Sequence, residues 1–491
     1  MSLANLTLPI PIAARPLQPI PLDGSRGDTL QGAAANRVSP YTQNFTLEVQ
    51  RELARNWTLS VGYVGTKSTK LWHAMPLNAV DIFNNGFLDA FNVTRAGGNA
   101  ALFDRMLLGL NIPGAGVVNG TTVTGSAALR TSTFTRNNIA NGNAGAVADF
   151  LNRSTAVTGK GGGFVRNGGL PENFFVLNPQ FNGVTLHGNP SNSTYHSLQM
   201  QLTKRLSSGF TTQTLYTWSR ALGATDSDNT LNDNVFPRDP KNRANDKSLL
   251  AYHRTHQFTT NGTVQLPFGS GRKLLANAPG LVQRLVERWQ FGTIFNWTSG
   301  RPLNILAPVS TIWQPTAPNP AGGPNISINT PNIVGDFPKN VGKVTKLPNG
   351  VTLFPGLQQI NDPSIAGVTS LNGLNGGFSN KAITDSQGRL LLVNPAPGQV
   401  GNMGLRWIEG PPNLGLDANL IKRVRISESK EFEFSVVASN VLNHPNFGYS
   451  GDRLTQGNPT RIDLNINSTS FGRITSATGS RRFTIGGRLN F

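Results

Sequence analysis

The stretch Thr484-Ile485-Gly486-Gly487-Arg488-Leu489-Asn490-Phe491 decides how the rest of the chain is read. Apolar and polar side chains alternate along it. Phe483, Ile485, Leu489 and Phe491 fall on one face of a strand, and Arg482, Thr484, Arg488 and Asn490 on the other. An aromatic as the last residue of a strand is unusual for a soluble domain, whose termini fray into solvent. A final edge strand of a soluble sheet is the competing reading, and the rest of the sequence has to decide.

Working outward, the same period of two recurs in pairs. Residues 44–50 set Phe45, Leu47 and Val49 against Thr46, Glu48 and Gln50, and a turn at 54–56 leads to a strand with Trp57, Leu59, Val61 and Tyr63 on one side. Further pairs are expected at 196–203 with 210–218, 258–266 with 289–297, and 413–422 with 430–440. With the last strand this makes about nine, each of roughly nine to eleven residues, the length that crosses a bilayer at a tilt. The polar faces carry Gln199, Gln201, Asp417, Glu431 and Glu433, which points to a wet interior. In such a sheet Leu414, Leu416, Phe432, Phe434 and Val436 face lipid, and Asp417, Asn419, Glu431 and Glu433 face inward. Trp57, Tyr63, Tyr216, Trp218, Trp289 and Trp297 stand at strand ends, where interfacial girdles belong.

Composition agrees. Glycine numbers 54, cysteine 0, and only 14% of residues are charged. No run approaches the roughly eighteen apolar residues of a transmembrane helix, so a helical membrane protein is excluded. A membrane barrel hides from hydropathy because lipid-facing and inward residues alternate. The net charge of +18 is scattered over turns and strand ends, as at Lys204-Arg205, Arg272-Lys273, Lys422-Arg423 and Arg481-Arg482. Nucleic-acid binders concentrate such charge in stripes, so no nucleic-acid partner is expected, whereas phosphate-bearing lipid headgroups suit this placement.

The connections alternate short and long. Those near 54, 208 and 427 are tight, while 66–194, 220–254, 300–411 and 443–480 are long, rich in Gly, Asn, Pro, Ser and Thr, and read as structureless. Loops of that length count against a compact soluble fold and for long external loops on a barrel. The connection 267–288 is the exception, with a short helix expected at 280–288 placing Leu281, Leu285 and Trp289 on one face. Residues 1–40 are Pro-rich, without period, and read as an irregular lead-in belonging to an external loop.

No chemical motif is convincing. Asp226-Ser227-Asp228-Asn229-Thr230 begins like a calcium loop but lacks its glycine and distal glutamate. His253 and His256 have metal-compatible spacing without a third ligand. The glycine run at 159–163 follows no expected strand and opens no expected helix, so it does not read as a phosphate cradle. No catalytic set can be placed, and neither an enzyme activity nor a metal or other cofactor is expected.

Two resemblances sharpen the picture. Thr484, Gly486, Leu489 and Phe491 resemble the C-terminal assembly signal of bacterial outer-membrane β-barrels, with Leu489 where an aromatic is commoner. Several stretches resemble the C-terminal half of TonB-dependent outer-membrane receptors of the Oar-like type. They include Ser39-Pro40-Tyr41-Thr42-Gln43-Asn44-Phe45, Gly62-Tyr63-Val64-Gly65-Thr66-Lys67, and Tyr216-Thr217-Trp218-Ser219-Arg220-Ala221-Leu222. Arg254-Thr255-His256-Gln257-Phe258, Ser299-Gly300-Arg301-Pro302-Leu303, and Asn440-Val441-Leu442-Asn443-His444-Pro445-Asn446-Phe447-Gly448 continue the series in the same order.

The resemblance implies a 22-stranded barrel in the bacterial outer membrane, closed by an N-terminal plug and importing a bulky ligand through TonB. Its partners would be outer-membrane lipid, the barrel-assembly machinery, and TonB through the plug. The segment 1–12 does not read as a signal peptide and no plug is recognised, while single-chain bacterial barrels have even strand counts. The expectation is therefore an all-β chain holding about nine strands of such a barrel, a fragment that does not transport alone. A surface adhesion or interaction protein anchored by a barrel, and a soluble β-rich binding module, are the alternatives.

Overall fold

The computed structural model describes residues 20–224, 234–314, 325–337, 340–365, 373–374, 376–427, 429–447 and 462–491. Nine long strands form one sheet: β1 (Tyr41–Ala54), β2 (Trp57–Pro76), β3 (Gly183–Ser207), β4 (Phe210–Gly223), β5 (His256–Gln265), β6 (Trp289–Thr298), β7 (Asn413–Arg425), β8 (Glu431–Ser439) and β9 (Arg482–Asn490). They lie in sequence order, each antiparallel to its neighbours. No described helix is long and apolar enough to cross a membrane.

The period of two builds this sheet because directly paired residues point to the same side. Val49 pairs with Val61, Val61 with Met200 and Met200 with Tyr216. Tyr216 then pairs with Phe258, Phe258 with Trp297 and Trp297 with Leu414. Farther along, Leu420 pairs with Val436 and Val436 with Ile485. One face is therefore apolar across all nine strands, and its side chains are uncovered: Leu47 is 69% exposed and Ile485 70%. A one-residue slip anywhere would turn a strand over and break the stripe.

The tight turns lie at one end. Asn56 and Ser208 adopt positive φ there, and Gly209 follows at φ 78°, which a glycine takes without strain. Among the described residues the outer edges of β1 and β9 pair with nothing, so the sheet is open.

The strands exceed the expected length at the long-loop end. β2 runs for 20 residues and β3 for 25, so the ladder continues past the apolar stripe through bulges near Ser68 and Leu71. The long connections are also not structureless. Between β2 and β3 the chain forms six short helices: α1 (Phe87–Arg95), α2 (Ala101–Leu107), α3 (Gly125–Thr131), α4 (Arg136–Ala140), α5 (Ala144–Arg153) and α6 (Gly163–Asn167). Phe87, Phe91, Phe103, Met106, Leu129, Ile139 and Leu151 close a core with Trp313 from the β6–β7 connection. A second core gathers Ile305, Leu353, Ile383, Leu392, Met403 and Ile408 with Ile462, Leu464 and Ile466 from the β8–β9 connection. Long surface segments escape the cost of bare backbone by packing their own scattered apolar residues into such cores.

The lead-in is partly regular. Thr29–Ala33 pairs in parallel with β3 from Gly183 to His187, and Arg26 is buried beside α6.

Candidate functional site

The chemistry of this fold lies in the two faces of the sheet and in the lid of loops above it. On the polar face, β1 presents Thr46, Glu48 and Gln50, β3 Gln199 and Gln201, β5 Thr259 and Asn261, β7 Asp417 and Asn419, and β8 Glu433. Its carboxylates are held across strands: Ser60 donates to Glu48, Arg423 Nε donates to Glu433 at 2.8 Å, and Arg288 meets Glu431 at 3.1 Å. Such a surface suits water or a polar partner and would be costly in hydrocarbon. The sequence placed Leu414, Leu416, Phe432, Phe434 and Val436 opposite Asp417, Asn419, Glu431 and Glu433, and the register puts these two sets on opposite faces.

Two aromatic rows bound the apolar face. Toward the short turns, Lys204 Nζ lies 5.5 Å from the Trp57 ring and Lys422 Nζ 5.7 Å from the Trp289 ring. Toward the long loops stand Tyr63, Tyr216, Trp218 and Trp297. Tyr63 Oη is hydrogen-bonded to His196 Nδ1 at 2.7 Å, and Tyr216 Oη to His256 Nδ1 at 2.8 Å. Trp289 and Trp297 are eight residues apart on β6, about 26 Å along a strand and about 20 Å in height at a tilt near 40°. That height is close to the roughly 25 Å apolar band of an outer-membrane barrel.

Three arginines tie the lid together, Arg238 and Arg406 buried and Arg243 half-buried. Arg238 donates to Thr330 Oγ1 at 3.0 Å, to the Met403 carbonyl at 3.1 Å and to the Asn245 carbonyl, with Asp246 3.7 Å away. Arg243 meets His73 Nδ1 at 2.7 Å and Ser191 Oγ at 3.1 Å, which fastens the lid to the ends of β2 and β3. Arg406 donates to Ser248 Oγ at 2.9 Å and to the Leu249 carbonyl at 2.8 Å. Burial pushes the Asp246 carboxyl up to about 6 against the opposing pull of Arg238. Burial, helped by Arg254 and Arg220, lowers His253 to about 4. No sequence motif marks these arginines, because most of their partners are carbonyls, hydroxyls and one imidazole brought in from distant parts of the chain.

The sequence-derived candidates fall as follows. Thr484 pairs with Val437 and Gly486 with Ser435 on the polar face, while Leu489 pairs with Phe432 on the apolar face and Phe491 follows, exposed. His253 accepts from the Ala221 amide at 3.2 Å and His256 is engaged by Tyr216, so the two imidazoles are not brought together on a common ligand. The glycine run at 159–163 does open a helix, α6, contrary to expectation. A Cβ on Gly161 or Gly162 would lie 2.7 or 2.3 Å from the Arg26 side chain, so these glycines make room for a buried arginine. Asp226-Ser227-Asp228-Asn229-Thr230 lies outside the described residues.

A family profile described as "Outer membrane beta barrel domain" matches residues 2–484. No curated protein matches. Among solved structures, the outer membrane transporter YddB from Escherichia coli is 9% identical, with a TM-score of 0.36, covering 95% of this chain and 34% of its own. FpvA of P. aeruginosa, bound to heterologous pyoverdines, is 8% identical with a TM-score of 0.28, covering 92% of this chain and 27% of its own. The chain thus spans about a third or less of the length of these two proteins.

Proposed function

The chain belongs to the outer membrane β-barrel domain family, and from that premise we propose that its sheet is part of the wall of a TonB-dependent, Oar-like transporter. The observation that carries the reading is the continuous apolar face over nine consecutive strands, backed by a mainly polar face and roofed at one end by packed loops. An open edge at membrane depth leaves unpaired backbone groups at several kcal/mol each, so further strands would complete the wall, to 22 by the family resemblance. The polar face would line the passage, a plug would fill it and contact TonB, and the fixed lid would meet a bulky solute first. Outer-membrane lipid is the partner of the apolar face, nucleic acid has no place in this reading, and no catalysis is assigned.

Thr484, Gly486, Leu489 and Phe491 would serve as the signal read by the barrel-assembly machinery. Deleting Phe491 should then lower the heat-modifiable, membrane-inserted fraction several-fold without changing synthesis. Unchanged insertion would remove that role.

For transport, the test is accumulation of fluorescently tagged oligosaccharides, peptides and metal chelates in cells carrying the whole receptor, with and without TonB. The reading requires at least one probe whose uptake needs both. If no probe depends on the receptor, or uptake is indifferent to TonB, it is lost. The helical cap, which displays Phe134 and Leu177 to solvent, favours adhesion as the second reading. Removing residues 77–182 would then abolish surface attachment and leave uptake intact.

A further inference from the structure

The apolar face does not stop at the short-turn end. The connection between β5 and β6 carries α7 (Gly280–Val286), which buries none of its residues. Leu281 is 82% exposed and Leu285, one turn on, 69%; Leu274 and Leu275 add two more uncovered leucines. A helix this short is not stable in water by itself. It is held from the strand side. The Trp289 indole donates to the Leu285 carbonyl at 2.8 Å, and the Lys422 ammonium bonds the Glu287 carbonyl while lying over the Trp289 ring. Trp289 and Lys422 pair in register on the apolar face, so these bonds set the leucines just beyond the lower aromatic row, on its lipid side. The same connection carries Arg272, Lys273, Arg284 and Arg288 against one acid, Glu287, and Arg288 is committed to Glu431.

We propose that α7 with Leu274 and Leu275 is a membrane foot. The leucines enter the acyl region of the short-turn leaflet, and Arg272, Lys273 and Arg284 bind the phosphates of anionic phospholipids. Leucines on one side and cations beside them are what an interfacial helix needs, and continuity with the lipid-facing wall favours lipid over a protein partner. The inference rests on the barrel reading.

The chain has no cysteine, so single cysteines report cleanly. Leu281→Cys and Leu285→Cys would be compared with Leu416→Cys in the wall and Gln387→Cys on an exposed loop. Purified protein would be reconstituted in phosphatidylcholine vesicles with or without roughly a third phosphatidylglycerol, and labelled with a charged maleimide. With the anionic lipid, positions 281 and 285 should react at least about tenfold more slowly than 387. Arg272→Gln, Lys273→Gln and Arg284→Gln together should bring that gap to within about twofold. Fast labelling at 281 and 285 with 416 still protected overturns the foot and leaves the wall intact. Fast labelling at 416 overturns both. Protection in native membranes but not in vesicles would assign the leucines to a periplasmic protein, and equal protection in both vesicle types would overturn the phosphate contact.

Discussion

Ala418 and Asn419 are adjacent on β7 yet face opposite sides of the sheet, and an arginine at each should have opposite consequences. Ala418 pairs with Thr293 and Ala438 on the apolar face. It stands midway between Leu414, opposite Trp297, and Lys422, opposite Trp289. Four residues in either direction are about 13 Å of strand, or about 10 Å of height at a tilt near 40°. Ala418→Arg therefore places a guanidinium near the bilayer midplane, at a cost of about 2–4 kcal/mol, or roughly 30- to 900-fold in the folding equilibrium. Asn419 pairs with Gly292 and Val437 on the polar face, and Asn419→Arg should cost about 1 kcal/mol or less. Urea titration of tryptophan fluorescence during folding into phosphatidylcholine vesicles reads both. A large cost at 419 with none at 418 would invert the faces. Equal costs would mean that this sheet is not a membrane wall.

The lid offers further tests. Asp246 is raised to about 6, so its stabilising contribution is complete below its unfolded value near 4 and is lost as pH rises through 6; a two-unit shift is at most about 3 kcal/mol. His253 is lowered to about 4, so its contribution is complete above about 6.5 and is lost as pH falls toward 4. The two slopes oppose each other, and Asp246→Asn should leave only the histidine's, with hydrogen-exchange protection of the lid rising from pH 4 to 6.5. Arg26→Ala removes a side chain with no exposure that bonds Asn152 and Glu172. Glu172 is 26% exposed and keeps Arg166, so the loss should be about 2–3 kcal/mol in cap stability, below the full cost of breaking a buried pair. A Cβ on Gly401 would lie 1.7 Å from the Thr330 carbonyl oxygen, whereas one on Gly415 meets nothing within 4 Å. Gly401→Ala should raise trypsin cleavage of the lid about tenfold or more, and Gly415→Ala should not.

The strands were legible because a two-residue period survives in every arm, and register follows once one face is apolar. Helix α7 was legible too, since Leu281 and Leu285 recur at helical spacing over an isolated stretch, but it stops at Val286 rather than 288, and Trp289 opens β6 instead of continuing the helical face. The caps were not. Helix α5 does set Ala144, Val147, Ala148 and Leu151 at helical spacing, but the stripe spans only ten residues, is half alanine, and also buries Asp149 and Asn152, so it reads weakly. The other cap helices have five to nine residues, which is shorter than a periodicity window needs. The contacts of Arg26 and Arg406, and those of Arg238 to Thr330 and Met403, join residues far apart in sequence and leave no local trace.

The cap between β2 and β3 also bears on how the sheet can form. Among the connections between neighbouring strands only that of β6 with β7, residues 299–412, is as long, and β3 with β4 needs only a two-residue turn, closing at minimal loop entropy. Pairing β2 with β3 must bridge residues 77–182. The search shortens greatly if the cap collapses first and brings Pro76 and Gly183 to its base. Pulse-labelled hydrogen exchange should then find β3–β4 amides protected first, the cap core next, and the long β2–β3 ladder last. A cap that gains protection only after that ladder would mean the strands find each other across an unfolded excursion.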